Sequence, residues 1–198
     1  YVEATKAMLA IRDANAGADS MEEDDALDAL DDRWEAMSPA EVAEARILLL
    51  AADHRGFKLK EALKRFLAER GYAADDAGAT VENPADDYVD FAAAASARVA
   101  EDPENHRGIL ICGTGIGMDI VANKFRGLRA ALVGERATAI QSREHDNANI
   151  LVLAADTLAP NAAEEIVMTW LETPFPGEER HARRLRKIAE IEERNFKV

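Results

Sequence analysis

From residue 47 onward, short apolar runs alternate with longer segments of helical periodicity, and this alternation limits the fold more than any other feature. Residues 47–52 form a continuously apolar run predicted as a strand, followed by an amphipathic helix over 56–70 that ends at Gly71. A weaker second strand is predicted over 72–77. A loop rich in Gly, Asn, Pro and Asp then leads to an alanine-rich helix over about 89–100. Strand 108–112 precedes a helix over 118–125, and strand 129–133 precedes a helix over about 137–146. Strand 149–153 precedes a helix over about 161–171, and a basic helix over about 178–195 closes the pattern. Repeated strand–helix units joined by right-handed crossovers imply a parallel sheet with helices on both faces. The expected class is α/β: a Rossmann-like three-layer fold with a mainly five-stranded parallel sheet. Ligands of such folds bind at the carboxyl ends of the strands.

Residues 1–46 differ in character. They carry thirteen acidic and four basic residues, whereas the rest of the chain carries twenty-five and twenty. We read them as an N-terminal α-helical extension, separate from a domain over 47–198. Ala4, Ala7, Met8, Leu9 and Ile11 supply an apolar face to a first helix. Leu27, Leu30 and Trp34 do so for a second over about 24–37, and Ser38-Pro39-Ala40-Glu41 is a capping box. The plain reading is an appendage packed on the main domain or a neighbouring subunit; a regulatory or partner-binding role is the alternative. The net charge of −14 argues against nucleic-acid partners and anionic membranes. One cysteine rules out an internal disulfide and fits a reducing cytoplasm, the expected location. No apolar run approaches the roughly 20 residues that cross a bilayer, and no secretory leader is read.

Chemistry concentrates in Gly108-Ile109-Leu110-Ile111-Cys112-Gly113-Thr114-Gly115-Ile116-Gly117. A thiol between a strand end and a helix start lies in the helix dipole's positive field, which is expected to lower its pKa. Glycines let the backbone close on a ligand and turn N–H groups toward negative charge. The ordinary reading is a small buried hydrophobe beside a common α/β turn. Other strand and helix ends sharpen the choice. Residues 47–52 run into Asp53-His54-Arg55-Gly56, and His145-Asp146-Asn147 precedes the last predicted strand. A third histidine lies in Arg180-His181-Ala182-Arg183-Arg184, leaving only His106 of the four, in a loop. Any one histidine reads as structural; acid, thiol and imidazole together at element ends do not. With one cysteine and no HxxxH-type pair, no metal site is expected.

Over about 47–195 these motifs, with Asp87-Tyr88, Ala122-Asn123-Lys124-Phe125 and Ser142-Arg143-Glu144-His145, resemble type B ribose-5-phosphate isomerases and the related galactose-6-phosphate isomerase subunits. The resemblance implies cofactor-independent interconversion of a phosphorylated aldose and ketose, most simply ribose 5-phosphate and ribulose 5-phosphate, through a cis-enediolate. It implies Cys112 as the base moving a proton between C1 and C2, Thr114 as a shuttle for the hydroxyl proton, and His145 as the ring-opening acid/base. Asp53 would orient sugar hydroxyls. The N–H groups of 113–117 would hold the enediolate, so Gly113, Gly115, Ile116 and Gly117 join His54, Tyr88, Asp146 and Asn147 as substrate-binding residues. Arg180 and Arg184, four apart on one helix face, would bind phosphate together with His54. A homodimer or tetramer with sites shared between subunits is implied.

Three departures bear on the substrate. Asp146 stands where the resembled family usually has asparagine, Asp156 where many members have a phosphate-binding arginine, and Val89 where proline is common. Arg143 or Arg183 could compensate, or the sugar could have four or six carbons. Other readings stay open: a non-catalytic, regulatory sugar-phosphate-binding homologue, a nucleotide-binding Rossmann module, and a thiol nucleophile. The Gly113-x-Gly115-x-Gly117 spacing, away from the first strand–helix turn, does not match a dinucleotide fingerprint.

Overall fold

The computed structural model describes residues 47–196; the expected helical extension over 1–46 lies outside the described residues. Five strands alternate with six helices here: β1 Leu48–Ala52, α1 Phe57–Ala68, β2 Ala74–Asp76, α2 Tyr88–Ala100, β3 Arg107–Cys112 and α3 Ile116–Ala122. Then follow β4 Ala130–Leu132, α4 Arg136–Glu144, β5 Ile150–Ala154, α5 Pro160–Glu172 and α6 Glu179–Asn195. The strands form one sheet in the order β2-β1-β3-β5-β4, and every pairing is parallel. The expected architecture is thus observed.

Apart from Arg107 at the start of β3, the central strands are apolar, because helices cover both sides of them. Alternate side chains then sort into two cores. Leu48, Leu50, Ile109, Ile111, Leu151 and Leu153 face α1 and α5, meeting Leu59, Leu63, Leu67, Ile166, Val167 and Trp170. Leu49, Ala51, Leu110, Cys112, Ile150 and Val152 face α2 and α3, meeting Ala92, Ala95, Val99, Met118 and Ala122. The leucines of α1 recur every four residues, and the alanines of α2 let that helix lie close against the sheet. Asp87 caps α2 by accepting the Val89 N–H at 3.0 Å. One polar side chain sits fully inside the α1 layer: Lys60, whose Nζ reaches both Asp76 oxygens at 2.6 Å and the Ala79 carbonyl at 2.7 Å.

Strand order places the site. The chain leaves β1 toward β2 on one side and returns as β3 on the other. The connections after β1 and β3 therefore diverge, opening a crevice at their carboxyl ends. Asp53 directly follows β1, and Cys112 ends β3. Helix α3 starts two residues earlier than expected, because Gly115 takes the left-handed conformation (φ 75°) and turns the chain into the helix at once. It stops at Ala122, where Asn123 folds back and donates its side-chain N–H to the Asp119 and Ala130 carbonyls.

Candidate active site

Cys112 is 5% exposed at the floor of the crevice, with the backbone N–H groups of Met118, Gly115 and Thr114 near its sulfur. These donors favour the thiolate. Burial opposes them more strongly, and the negative charge of Asp53 adds to burial, so the thiol sits above its ordinary pKa. This corrects the expectation of a lowered value: the amides expected to ionise the sulfur are present, but desolvation outweighs them. The left-handed Gly115 holds the amides in place, and a Cβ there would run into Leu132 Cδ1. A Cβ at Gly117 would lie 2.5 Å from the Tyr88 ring, so the tyrosine closes one wall directly on the backbone.

Above the sulfur opens a cleft of about 450 Å³. Of the residues singled out in the sequence, Asp53, Tyr88, Cys112, Gly113, Thr114, Ile116 and Gly117 line it. Asp53 is buried, with one oxygen accepting the Arg55 and Gly56 N–H groups at 3.0 and 2.9 Å, and so fixes the turn into α1. His54 stands beside the cleft rather than in its lining. Its Nδ1 lies 2.5 Å from Asp86 Oδ1, which also accepts its backbone N–H at 3.2 Å, so the ring is held from behind. Arg55, Ile120 and Asp156 line the cleft without having been singled out as site residues. The rule that found Asp53, reading the turns after strands, would have found Arg55 and Asp156 as well. Asp86 leaves no such signal, since it is thirty-two residues from His54.

The remaining candidates gather elsewhere on the chain. His145 caps the end of α4, and its ring stacks on His181 of α6 with centroids 4.3 Å apart and planes 3° from parallel. His181 is 3% exposed, and neither ring nitrogen has a hydrogen-bond partner. Burial lowers its pKa first, followed by the charge of Arg180 and then by His145, with Glu178 opposing. Arg180 and Arg184 are exposed on the same helix, and Arg180 Nε meets Glu178 at 2.8 Å. Asn147 takes φ 44°, its side chain held by Arg143 Nη1 at 2.8 Å and its carbonyl by Arg129 Nε at 3.0 Å. Asp146 faces a second depression beside Lys124, Arg129 and Glu192. None of these residues lines the Cys112 cleft. Nor can Arg143 stand in for a missing phosphate arginine: it is buried and donates to the Ala148 and Thr173 carbonyls at 2.6 and 3.2 Å, bracing the loop that carries His145.

The cleft thus brings a thiol, a carboxylate and a glycine-rich turn together, while the imidazoles and the arginine pair stand apart. Residues 48–188 match the ribose/galactose isomerase family model. The chain is 40% identical over 147 residues to the putative sugar phosphate isomerase YwlF of Bacillus subtilis, covering 74% of this chain and 97% of that protein. It is 38% identical over 132 residues to the D-erythrulose-4-phosphate isomerase of Pectobacterium atrosepticum, covering 66% and 85%. Among solved structures it is similar to ribose-5-phosphate isomerase B of Mycoplasma genitalium with bound ribulose-5-phosphate, at TM-score 0.73 and 37% identity over 75% of this chain and 97% of that one. With its sheet order, its thiol in an amide cradle and a match spanning the α/β domain, the chain belongs to the ribose/galactose isomerase family.

Proposed function

We propose that this sugar-phosphate aldose–ketose isomerase interconverts ribose 5-phosphate and ribulose 5-phosphate, with Cys112 as the proton carrier. The observation that carries the reading is a thiol at the floor of a cleft, lined with it by the Gly113–Gly117 turn and Asp53. In the forward direction the Cys112 thiolate takes the C2 proton of the open-chain aldose, and the electrons move to O1 as the enediolate forms. The N–H groups of 113–117 hold that charge as an oxyanion hole does. Thr114 passes the hydroxyl proton from O2 to O1, and Cys112 returns its proton to C1. One proton leaves carbon and one returns, so no external oxidant or reductant enters the balance.

Ring opening and phosphate binding need the second group of residues. We assign ring opening to His145 and phosphate binding to Arg180, Arg184 and His54, with Asp53 and Tyr88 orienting the sugar, and Asp146 and Asn147 contacting it. Because His145 and both arginines lie outside the Cys112 cleft, the full set assembles when a second copy of the chain docks its α4–α6 end against the cleft. That pairing yields two shared sites per homodimer. The experiment is complementation. Cys112→Ala and His145→Ala variants, each inactive alone on ribose 5-phosphate, are unfolded, mixed and refolded. Shared sites restore about a quarter of wild-type activity, since half the dimers then hold one intact site. Sites complete within one chain restore none.

A four-carbon substrate is the second reading, favoured by Asp156 in the cleft and by the erythrulose-phosphate relative. Assays across tetrose, pentose and hexose phosphates decide between them by kcat/KM.

A further inference from the structure

The turns after β1 and β5 flank the end of β3, and one ion pair bridges them across the start of the amide cradle. Arg55 Nε and Nη2 donate to the two oxygens of Asp156 at 3.3 and 2.5 Å. The pair lies over Gly113, where a Cβ would run into Arg55 Nε and stand 2.9 Å from Asp156 Oδ2. Asp156 is fixed in turn, its N–H donating to the Gly113 carbonyl at 3.0 Å. Both side chains line the Cys112 cleft. Its charged lining is otherwise a single carboxylate, Asp53. A wall of two carboxylates repels a phosphate; the guanidinium offsets one of those charges and supplies, among the described residues, the lining's one set of cationic donors.

A guanidinium has five N–H donors in a fixed fork, and the pair with Asp156 uses two of its edges' groups. The rest remain available to a second anion, and the Arg55 side chain is 57% exposed. Arg180 and Arg184 stand on α6, outside this cleft. We propose that Arg55, clamped by Asp156, is the cation that the cleft's own chain contributes to the phosphate of the substrate. Asp156 is then a positioning residue rather than a contact: it aims the fork, at the cost of leaving a carboxylate near the anion. This rests on the reading of the cleft as the sugar-phosphate site.

The test compares Arg55→Met with Asp156→Asn in the full chain. Binding of inorganic phosphate is measured by calorimetry, and KM and kcat with ribose 5-phosphate. Loss of a charge-assisted hydrogen bond weakens phosphate binding by about ten- to a hundred-fold in Arg55→Met, with a matching rise in KM larger than the fall in kcat. Arg55→Lys recovers part of the affinity. Asp156→Asn keeps phosphate affinity or tightens it, since a repelling charge is gone. If Arg55 only braces the turn through Asp156, both variants lose the same factor, which overturns the proposal. Unchanged phosphate affinity in Arg55→Met overturns it too. If the wild type turns over no sugar phosphate, the functional reading fails, while phosphate calorimetry still decides the role of Arg55.

Discussion

The Cys112 cleft and the His145–His181 end of the molecule solve the same problem, holding reactive groups ready, by opposite means. In the cleft the chemistry is built into the backbone. Three peptide N–H groups, a left-handed glycine and a buried carboxylate fix the surroundings of one sulfur. At the other end side chains do the work: two stacked imidazoles, one of them buried without hydrogen-bond partners, beside exposed arginines. A backbone cradle is complete as soon as one chain folds. A cluster of charged side chains on an outer helix presents its donors outward and acquires purpose only against something else. On the proposed function, proton transfer is preorganised within one chain, whereas ring opening and most of the phosphate charge await a partner.

The largest effects should separate the two regions by reaction step. Cys112→Ala is expected to cut kcat/KM by about 10³-fold on every substrate, open-chain or cyclic, because the proton carrier is lost. Circular dichroism should show the fold retained. His145→Ala should cost roughly 10²-fold on ribose 5-phosphate, yet only a few-fold on an open-chain tetrose phosphate, which needs no ring opening. Equal losses on the two sugars would merge what the comparison divides.

How far each region was legible in the sequence follows from its physics. Strand and helix order, and the position of the cleft, follow from runs such as Ile109-Leu110-Ile111 and from the rule for strand ends, because burial on both faces leaves continuous apolar segments. Helix α3 begins two residues before its hydropathy pattern does, since the turn depends on a φ value. The thiol pKa runs opposite to the local pattern: a strand–helix junction advertises its dipole, while the depth of burial that outweighs it is a tertiary property. Lys60 on α1 carried no signal of burial, because its partner Asp76 comes from another element. Arg55–Asp156, 101 residues apart, was invisible as a pair for the same reason.

Two smaller effects probe the cradle. Gly115→Ala places a side chain in the left-handed region and against Leu132, costing about 1–3 kcal/mol of stability by denaturant unfolding. The same change should lower kcat, because the amides on the sulfur shift; unaltered turnover would mean that the cradle is not what holds the enediolate. The raised thiol predicts that kcat/KM keeps climbing with pH beyond about 8.5, the ordinary cysteine value. Asp53→Asn, which keeps an oxygen for the Arg55 and Gly56 N–H groups, should move that limb to lower pH by removing a charge that opposes the thiolate.

The smallest effect belongs to the other region and reads its side-chain character directly. Burial first, then Arg180 and His145, press the His181 pKa below the ordinary histidine value against the pull of Glu178. As pH falls through about 6.5 the unfolded chain takes up a proton at this ring that the folded chain still refuses. Stability present above that pH is therefore lost below it. Thermal unfolding between pH 7.5 and 5.5 should show Tm falling for the wild type and falling less for His181→Gln, which cannot titrate. Identical slopes would mean that the stacked imidazole accepts its proton at no cost, as an exposed ring does, and that this end of the molecule is no more strained by its charges than the amide cradle is.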